Sequence, residues 1–313
     1  MKKIIFVFLL IVLTGLAGIY IFIPGKLMIT EVAATPCVAE AGTRILADAS
    51  RWPMWWPGKI VPGKNGESDY LLDEVNYTVS QQMLNNLGLQ IRFRNDSLGS
   101  HLSLLSLPHD SSLIKWECVL EAGNDPLARI RAYRKAVALK ENMHQVMNAA
   151  RQYLSNFQNI YGFVLNEAST SDTTLITTKN FSPDYPSMPF VYAMAKKLQG
   201  YAQAANCAVT GVPMLNVTKL DSAGYQVMVA VPLAHSIQGN EQVKLQKMVP
   251  GRFIITDVQG GPGTLNNTHL QILNYFRDYR RTSMAIPFEY LITDRLKEPD
   301  TSKWITKIYS PVY

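Results

Sequence analysis

The stretch Ala285-Ile286-Pro287-Phe288-Glu289-Tyr290-Leu291 sets one carboxylate inside a short apolar run. In an alternating strand, Glu289 faces one side with Pro287 and Leu291, while Phe288 and Tyr290 face the other. Burying a carboxylate unpaired costs several kcal/mol. Glu289 therefore sits at a wet edge, joins a buried salt bridge to an arginine, or lines a pocket. General-base work would need a raised pKa and a placed water, and one Glu does not make an acid–base pair. The five histidines (His101, His109, His144, His235 and His269) are dispersed along the chain. His144, on a long amphipathic stretch, reads as a packed or exposed polar residue. No Ser-His-Asp constellation, Gly-rich phosphate loop or His/Cys metal cluster is present, so no catalytic residue, metal ligand or cofactor is assigned.

The three cysteines, Cys37, Cys118 and Cys207, lack metal-ligand spacing. Cys118 falls in phase with Ile114, Trp116 and Leu120, which fits a core thiol. An exported domain would also permit a Cys37–Cys118 disulfide.

These residues need elements to hold them, and the first element is apolar. After Lys2 and Lys3, residues 4–23 form an uncharged run long enough to span a bilayer, ending at Pro24-Gly25-Lys26. A cleaved signal peptide is the rival reading. The run is long for one, and no small-x-small site follows closely, so an uncleaved single-pass anchor is expected. The lysines place the N-terminus in the cytoplasm and the bulk of the chain outside. The net charge of +6 is mild, and the cluster Arg129, Arg131, Arg134 and Lys135 reads as a solvated helix face. No nucleic-acid-binding pattern is present, so no nucleic-acid partner is expected.

Residues 26–36 read as a strand, with Leu27, Ile29 and Val32 as its apolar content, and 38–50 as a short helix. Arg51-Trp52-Pro53-Met54-Trp55-Trp56-Pro57-Gly58 reads as a rigid aromatic loop, too punctuated for helix or strand. Alternating runs through Val75–Val79, Leu87–Phe93, Leu102–Leu104 and Ile114–Leu120 predict an antiparallel meander, with turns at 95–99 and 108–111. From 127 to 157 the period becomes helical, through Leu139, Met143, Val146, Met147, Ala150, Leu154 and Phe157. This order resembles the START-like (SRPBCC, polyketide cyclase/dehydrase-like) helix-grip family over residues 27–158. The resemblance implies a hydrophobic cavity between sheet and long helix, with Trp55, Trp56, Trp116 and Met143 as lining or as ordinary core.

Strands are then expected at 160–167 and 172–178, a helix at 188–205, and strands at 213–219 and 224–232. The order recurs as strands at 243–249 and 252–259, a helix through Leu265, Ile272, Leu273 and Phe276, and strands at 287–293 and 303–309. This is a duplicated β-α-β-β pattern. Gly211-Val212-Pro213, Val229-Ala230-Val231-Pro232, Pro250-Gly251-Arg252-Phe253, Gln259-Gly260-Gly261-Pro262, Pro287-Phe288-Glu289-Tyr290 and Ile308-Tyr309-Ser310-Pro311-Val312 follow in order. Together they resemble the GyrI-like (AraC/BmrR-type) effector-binding domain over residues 160–313. The resemblance implies a central ligand pocket with an acidic residue, matched here to Glu289. Tyr309 matches the terminal Tyr-x-Pro, and Tyr192 and Phe253 are aromatic walls or core. A desolvated carboxylate framed by rings suits a cationic or aromatic small molecule, and could also accept a hydrogen bond from a neutral one. Some family members are hydrolases. Others regulate transcription through a DNA-binding domain, where this chain has a membrane helix and a START-like domain. The expectation is an α+β, membrane-anchored small-molecule-binding protein, with a hydrolase or a non-catalytic interaction module as alternatives.

Overall fold

The computed structural model describes residues 2–62, 68–83, 86–93, 96–170, 173–220, 224–248, 250–283 and 285–312. Asn95, Asp172 and Val249, which the sequence assigns to a turn and two strands, lie outside them. The chain is α+β and divides into two compact units, Met1–Ile160 and Tyr161–Tyr313.

The first unit opens with α1 (Lys2–Phe22), followed after three residues by β1 (Lys26–Thr35). α2 (Ala39–Ala47) and the strands β2 (Lys59–Pro62), β3 (Ser68–Leu72), β4 (Val75–Met83), β5 (Asn86–Arg92), β6 (Ser97–Leu107) and β7 (Ser111–Glu121) come next. They form one seven-stranded antiparallel sheet in the order β1-β7-β6-β5-β4-β3-β2. β7 alternates cleanly, burying Ile114, Trp116 and Cys118. α3 (Pro126–Leu154) crosses this sheet in a helix-grip arrangement. The Asp125 side chain caps it by accepting from the Ala128 N–H, and Pro126 supplies a preset first turn. Leu139, Met143, Val146, Met147, Ala150 and Leu154 form its buried stripe.

Several expectations change here. The tryptophan-rich stretch is not irregular: Ala49–Met54 is a 3-10 helix, started by the Asp48 side chain accepting from the Ser50 N–H. A short 3-10 turn tolerates Pro53 because little of its hydrogen bonding lies behind the ring. The long helix stops at Leu154. Asn156 Oδ1 then accepts from the Gln158 N–H at 2.9 Å and starts a separate helix, α4 (Phe157–Tyr161). Val32 is exposed, on the opposite side of β1 from Leu27 and Ile29.

In the second unit the expected strand at 160–167 is displaced. Ile160 and Tyr161 are buried in α4, and Gly162 (φ +75°) ends that helix, so β8 begins only at Asn166. The remaining elements are β9 (Thr174–Ser182), α5 (Met188–Ala204), β10 (Met214–Leu220), β11 (Gly224–Pro232), β12 (Lys244–Lys247), β13 (Gly251–Gln259), α6 (Pro262–Asp278), β14 (Phe288–Leu291) and β15 (Ile305–Val312), with β8 at Asn166–Thr170. Leu273 on α6 is exposed rather than core. The sheet order is β12-β9-β11-β10-β14-β15-β13-β8. Thus β9-α5-β10-β11 and β13-α6-β14-β15 are matching halves that meet at β10 and β14. The seam is short, with Met214 opposite Tyr290 and Leu215 opposite Glu289. The strand before each half crosses to the other: β8 pairs with β13 and β12 with β9.

Candidate functional site

The seam strand β14 sends its side chains to two different environments. Leu291 enters the core beneath α5, with Val191, Leu198 and Leu215. Alternation puts Glu289 on that same helix-covered face. Its Oε1 lies 2.9 Å from Nε2 of His269 on α6, and its Oε2 lies 3.9 Å from an Arg295 guanidinium nitrogen. The Arg295 side chain is only 3% exposed. It donates to Thr306 Oγ1 at 2.7 Å and lies 4.9 Å from the centre of the Trp304 ring. Its backbone N–H donates to the Tyr192 hydroxyl at 3.0 Å, and that hydroxyl donates to the Thr293 carbonyl at 3.2 Å.

Burial lowers the pKa of Arg295, and the neighbouring Glu289 opposes that shift. Burial, and then the Glu289 charge, raise the pKa of Tyr185 at the same place. The ion pair with Arg295, one of the alternatives open in the sequence, is present at 3.9 Å. Glu289 is compensated from within the chain, and an organic cation approaching it meets a pair rather than a free carboxylate.

The face away from α5 and α6 is apolar and hollow. Phe288 stacks on Tyr309, with centroids 5.0 Å apart and planes at 10°. Phe253 meets both edge-on, at 5.8 and 6.0 Å, and Tyr290 meets Tyr309 at 4.9 Å. Beside this cluster is a cavity of about 420 Å³. Leu175, Met214, Met228, Ala230, Met248, Phe253, Ile286 and Phe288 supply its apolar wall, Thr177, Asn216 and Gln246 its neutral polar points, and Lys247 and Arg252 its charged ones. Among the described residues that line it, none is Asp, Glu or His.

The sequence-derived site is therefore divided. Phe253 lines the cavity and Tyr309 backs it, but Glu289 and Tyr192 lie on the opposite face of the sheet. His269 and Arg295, which hold Glu289, were not foreseen. His269 sits 20 residues before Glu289 on another element, and Arg295 lies past the strand in an irregular segment. The cavity itself has a sequence signal: Phe288, Tyr290 and Tyr309 occupy alternate strand positions, and their rings meet because Phe288 pairs directly with Tyr309.

In the first unit the described aromatic residues pack on one another. Trp52, Trp55, Trp56, Tyr70, Tyr77 and Trp116 form a continuous chain of ring contacts, each step between 4.8 and 6.0 Å. Trp52 Nε1 donates to Leu46 O, Trp56 Nε1 to Leu71 O and Trp116 Nε1 to Ser100 Oγ. The void among them measures about 10 Å³, the size of one water at most. Trp55, Trp56, Trp116 and Met143 are thus core. Met143 packs against Cys118, with sulfurs 3.9 Å apart. All three cysteines are buried and none forms a disulfide, so Cys37 and Cys118 are not joined. His144 is exposed, 2.7 Å from Glu31. Among the described residues no cluster of His, Cys, Asp and Glu could hold a metal.

No protein-family model and no curated protein matches the chain. Among solved structures, the EcmrR C-terminal domain is 15% identical, with a TM-score of 0.40, covering 48% of this chain and 98% of its own. SAV2435 bound to tetraphenylphosphonium is 14% identical, with a TM-score of 0.34, covering 48% and 94%. A START superfamily protein from Mycobacterium smegmatis is 15% identical, with a TM-score of 0.29, covering 41% and 96%.

Proposed function

We propose that this chain is a membrane-anchored small-molecule-binding protein whose ligand enters the cavity beside Phe253 and Phe288. The observation that carries this reading is the cavity itself. Its volume falls within the range of roughly 300–1,000 Å³ typical of small-molecule sites, and its wall is mostly apolar with a few polar points. The wall offers rings and methionines to a flat apolar body, and Thr177, Asn216 and Gln246 to a hydrogen-bonding group. With Lys247 and Arg252 in the lining and no carboxylate among its described residues, a neutral or anionic aromatic molecule suits it better than an organic cation.

The anchor rests on α1. Residues Lys3–Phe22 have a mean hydropathy of 2.8, and none of that window is buried against protein. Twenty helical residues span about 30 Å, the thickness of a bilayer core.

The experiment is thermal stabilisation of the chain by a panel of neutral, cationic and anionic aromatic compounds. A ligand at a hundred times its dissociation constant adds roughly 2.7 kcal/mol. Met214→Trp, which fills the cavity, is expected to abolish the shift, and Phe288→Ala to weaken it by about tenfold or more. Glu289→Gln is expected to leave affinity within about threefold. A shift erased by Glu289→Gln and retained in Met214→Trp would move the site to the helix-covered face.

A further inference from the structure

The joint between α1 and the rest of its unit is clasped rather than flexible. Only Ile23, Pro24 and Gly25 separate α1 from β1. Arg129, in the first turn of α3, donates to the Ile23 carbonyl at 2.7 Å and to the Gly123 carbonyl at 3.2 Å. Its guanidinium also lies over the Tyr20 ring at 4.4 Å. The Tyr20 hydroxyl donates to the Asn124 carbonyl at 2.6 Å, and the Ala122 N–H donates to the Gly25 carbonyl at 2.8 Å. Lys26 and Glu121 close the outside of the corner at 3.1 Å. Tyr20 stands at the end of the apolar run, the level at which tyrosines gather in membrane proteins.

A clasp of this kind fixes which surface meets the bilayer. Next to it, Leu127, Arg131 and Arg134 are exposed at i, i+4 and i+7 along α3, so they share one face. Leu127 is 67% exposed, at a position where an apolar residue gains nothing from water. The nearby acids are already engaged: Asp125 caps α3 and Glu121 holds Lys26. Asp96 holds Lys135 farther along the helix. Arg131 and Arg134 therefore leave an excess of positive charge beside the anchor's exit.

We propose that the Tyr20–Arg129 clasp and the first turns of α3 form a rigid collar that seats this unit directly on an anionic lipid surface. Leu127 enters the interfacial layer, and Arg131 and Arg134 contact lipid phosphates. The inference rests on the reading of α1 as a membrane span. A basic side chain near an anionic surface strengthens association roughly fivefold, so two arginines and a leucine on a tethered domain suffice to hold it down.

The test uses the full chain in nanodiscs of phosphatidylcholine, with or without phosphatidylglycerol. Leu127→Cys carries an environment-sensitive dye, and the buried native thiols do not compete for it. Leu107→Cys is the control. It ends β6 opposite Ser111, at the end of β7 far from the corner, roughly 30 Å away at ten residues of strand. Acrylamide quenching at position 127 is expected to fall when phosphatidylglycerol is added, with position 107 unaffected. Arg131→Ala with Arg134→Ala removes the lipid dependence, and Arg129→Ala raises quenching at 127 by releasing the clasp. Equal quenching at both positions in both lipids overturns the collar. An alkaline wash of membranes separates the two failures. A chain released by the wash defeats the anchor and the collar together, whereas a retained chain with a fully quenched position 127 defeats the collar alone.

Discussion

Glu289 shows how little one side chain's neighbours in sequence reveal about its charge partner. Strand alternation correctly separates it from Phe288 and Tyr290, because that separation is local geometry. The partners are non-local, since His269 comes from α6 and Arg295 folds back from the segment after β14. No period or motif spans those distances. The arrangement makes a residue-scale prediction. Arg295→Met removes the cation while leaving a carboxylate only 13% exposed, and losing one partner of a buried pair costs about 3–5 kcal/mol. Glu289→Gln alone is expected to cost less, because His269 still satisfies one oxygen. In the double variant the two losses are expected not to add, with a coupling energy above about 0.5 kcal/mol in urea melts. Additive costs would mean that the 3.9 Å approach is incidental.

At the scale of elements, legibility followed periodicity. β7, α5, β11 and the buried stripe of α3 repeat cleanly over many residues, and the sequence locates them. β2 is four residues long, mostly exposed and ends in proline, so it carries no pattern to read. The 3-10 helix at Ala49–Met54 depends on a side-chain cap at Asp48, which periodicity does not register. It also decides the fate of the tryptophans. It turns Trp52 inward to stack on Trp56 at 5.4 Å. Burial of that core has a pH signature. Desolvation raises the Cys118 thiol to about 11 and raises the Tyr77 phenol as well. Unfolded thiols titrate near about 8.5. A pKa raised in the folded state gives stability that is complete below the unfolded value and lost as pH climbs through the folded one. The first unit's melting temperature is therefore expected to fall between about pH 8.5 and 11. Cys118→Val should flatten part of that slope, and an unchanged slope would show that the thiol is not the titrating group.

At the scale of the molecule, the division into two units is the feature from which independent folding follows. Among the described residues no strand is shared, since one sheet is completed within residues 26–121 and the other within 166–312. Each unit has its own buried core, which is the condition for folding alone. The duplication inside the second unit was legible because the helix-strand-strand order repeats. The exchange of β8 and β12 between its halves was not, since an edge strand's partner is set by tertiary closure rather than by its own residues. That exchange carries a consequence for truncation. A fragment of residues 161–313 keeps both exchanged strands and is expected to melt cooperatively and retain the ligand-induced shift. A fragment of residues 24–160 is expected to melt cooperatively, show no ligand shift and keep the alkaline loss of stability. Cutting instead between the apparent repeats, near residue 240, removes β12 from β9 and leaves β8 without β13. Such half-domains are expected to stay unfolded when separate and to recover structure only on mixing, as read by far-ultraviolet circular dichroism. If either half folded by itself, the two repeats would be independent domains, and a cavity walled by Met214 from one half and Phe253 from the other could not be a property of a single folding unit.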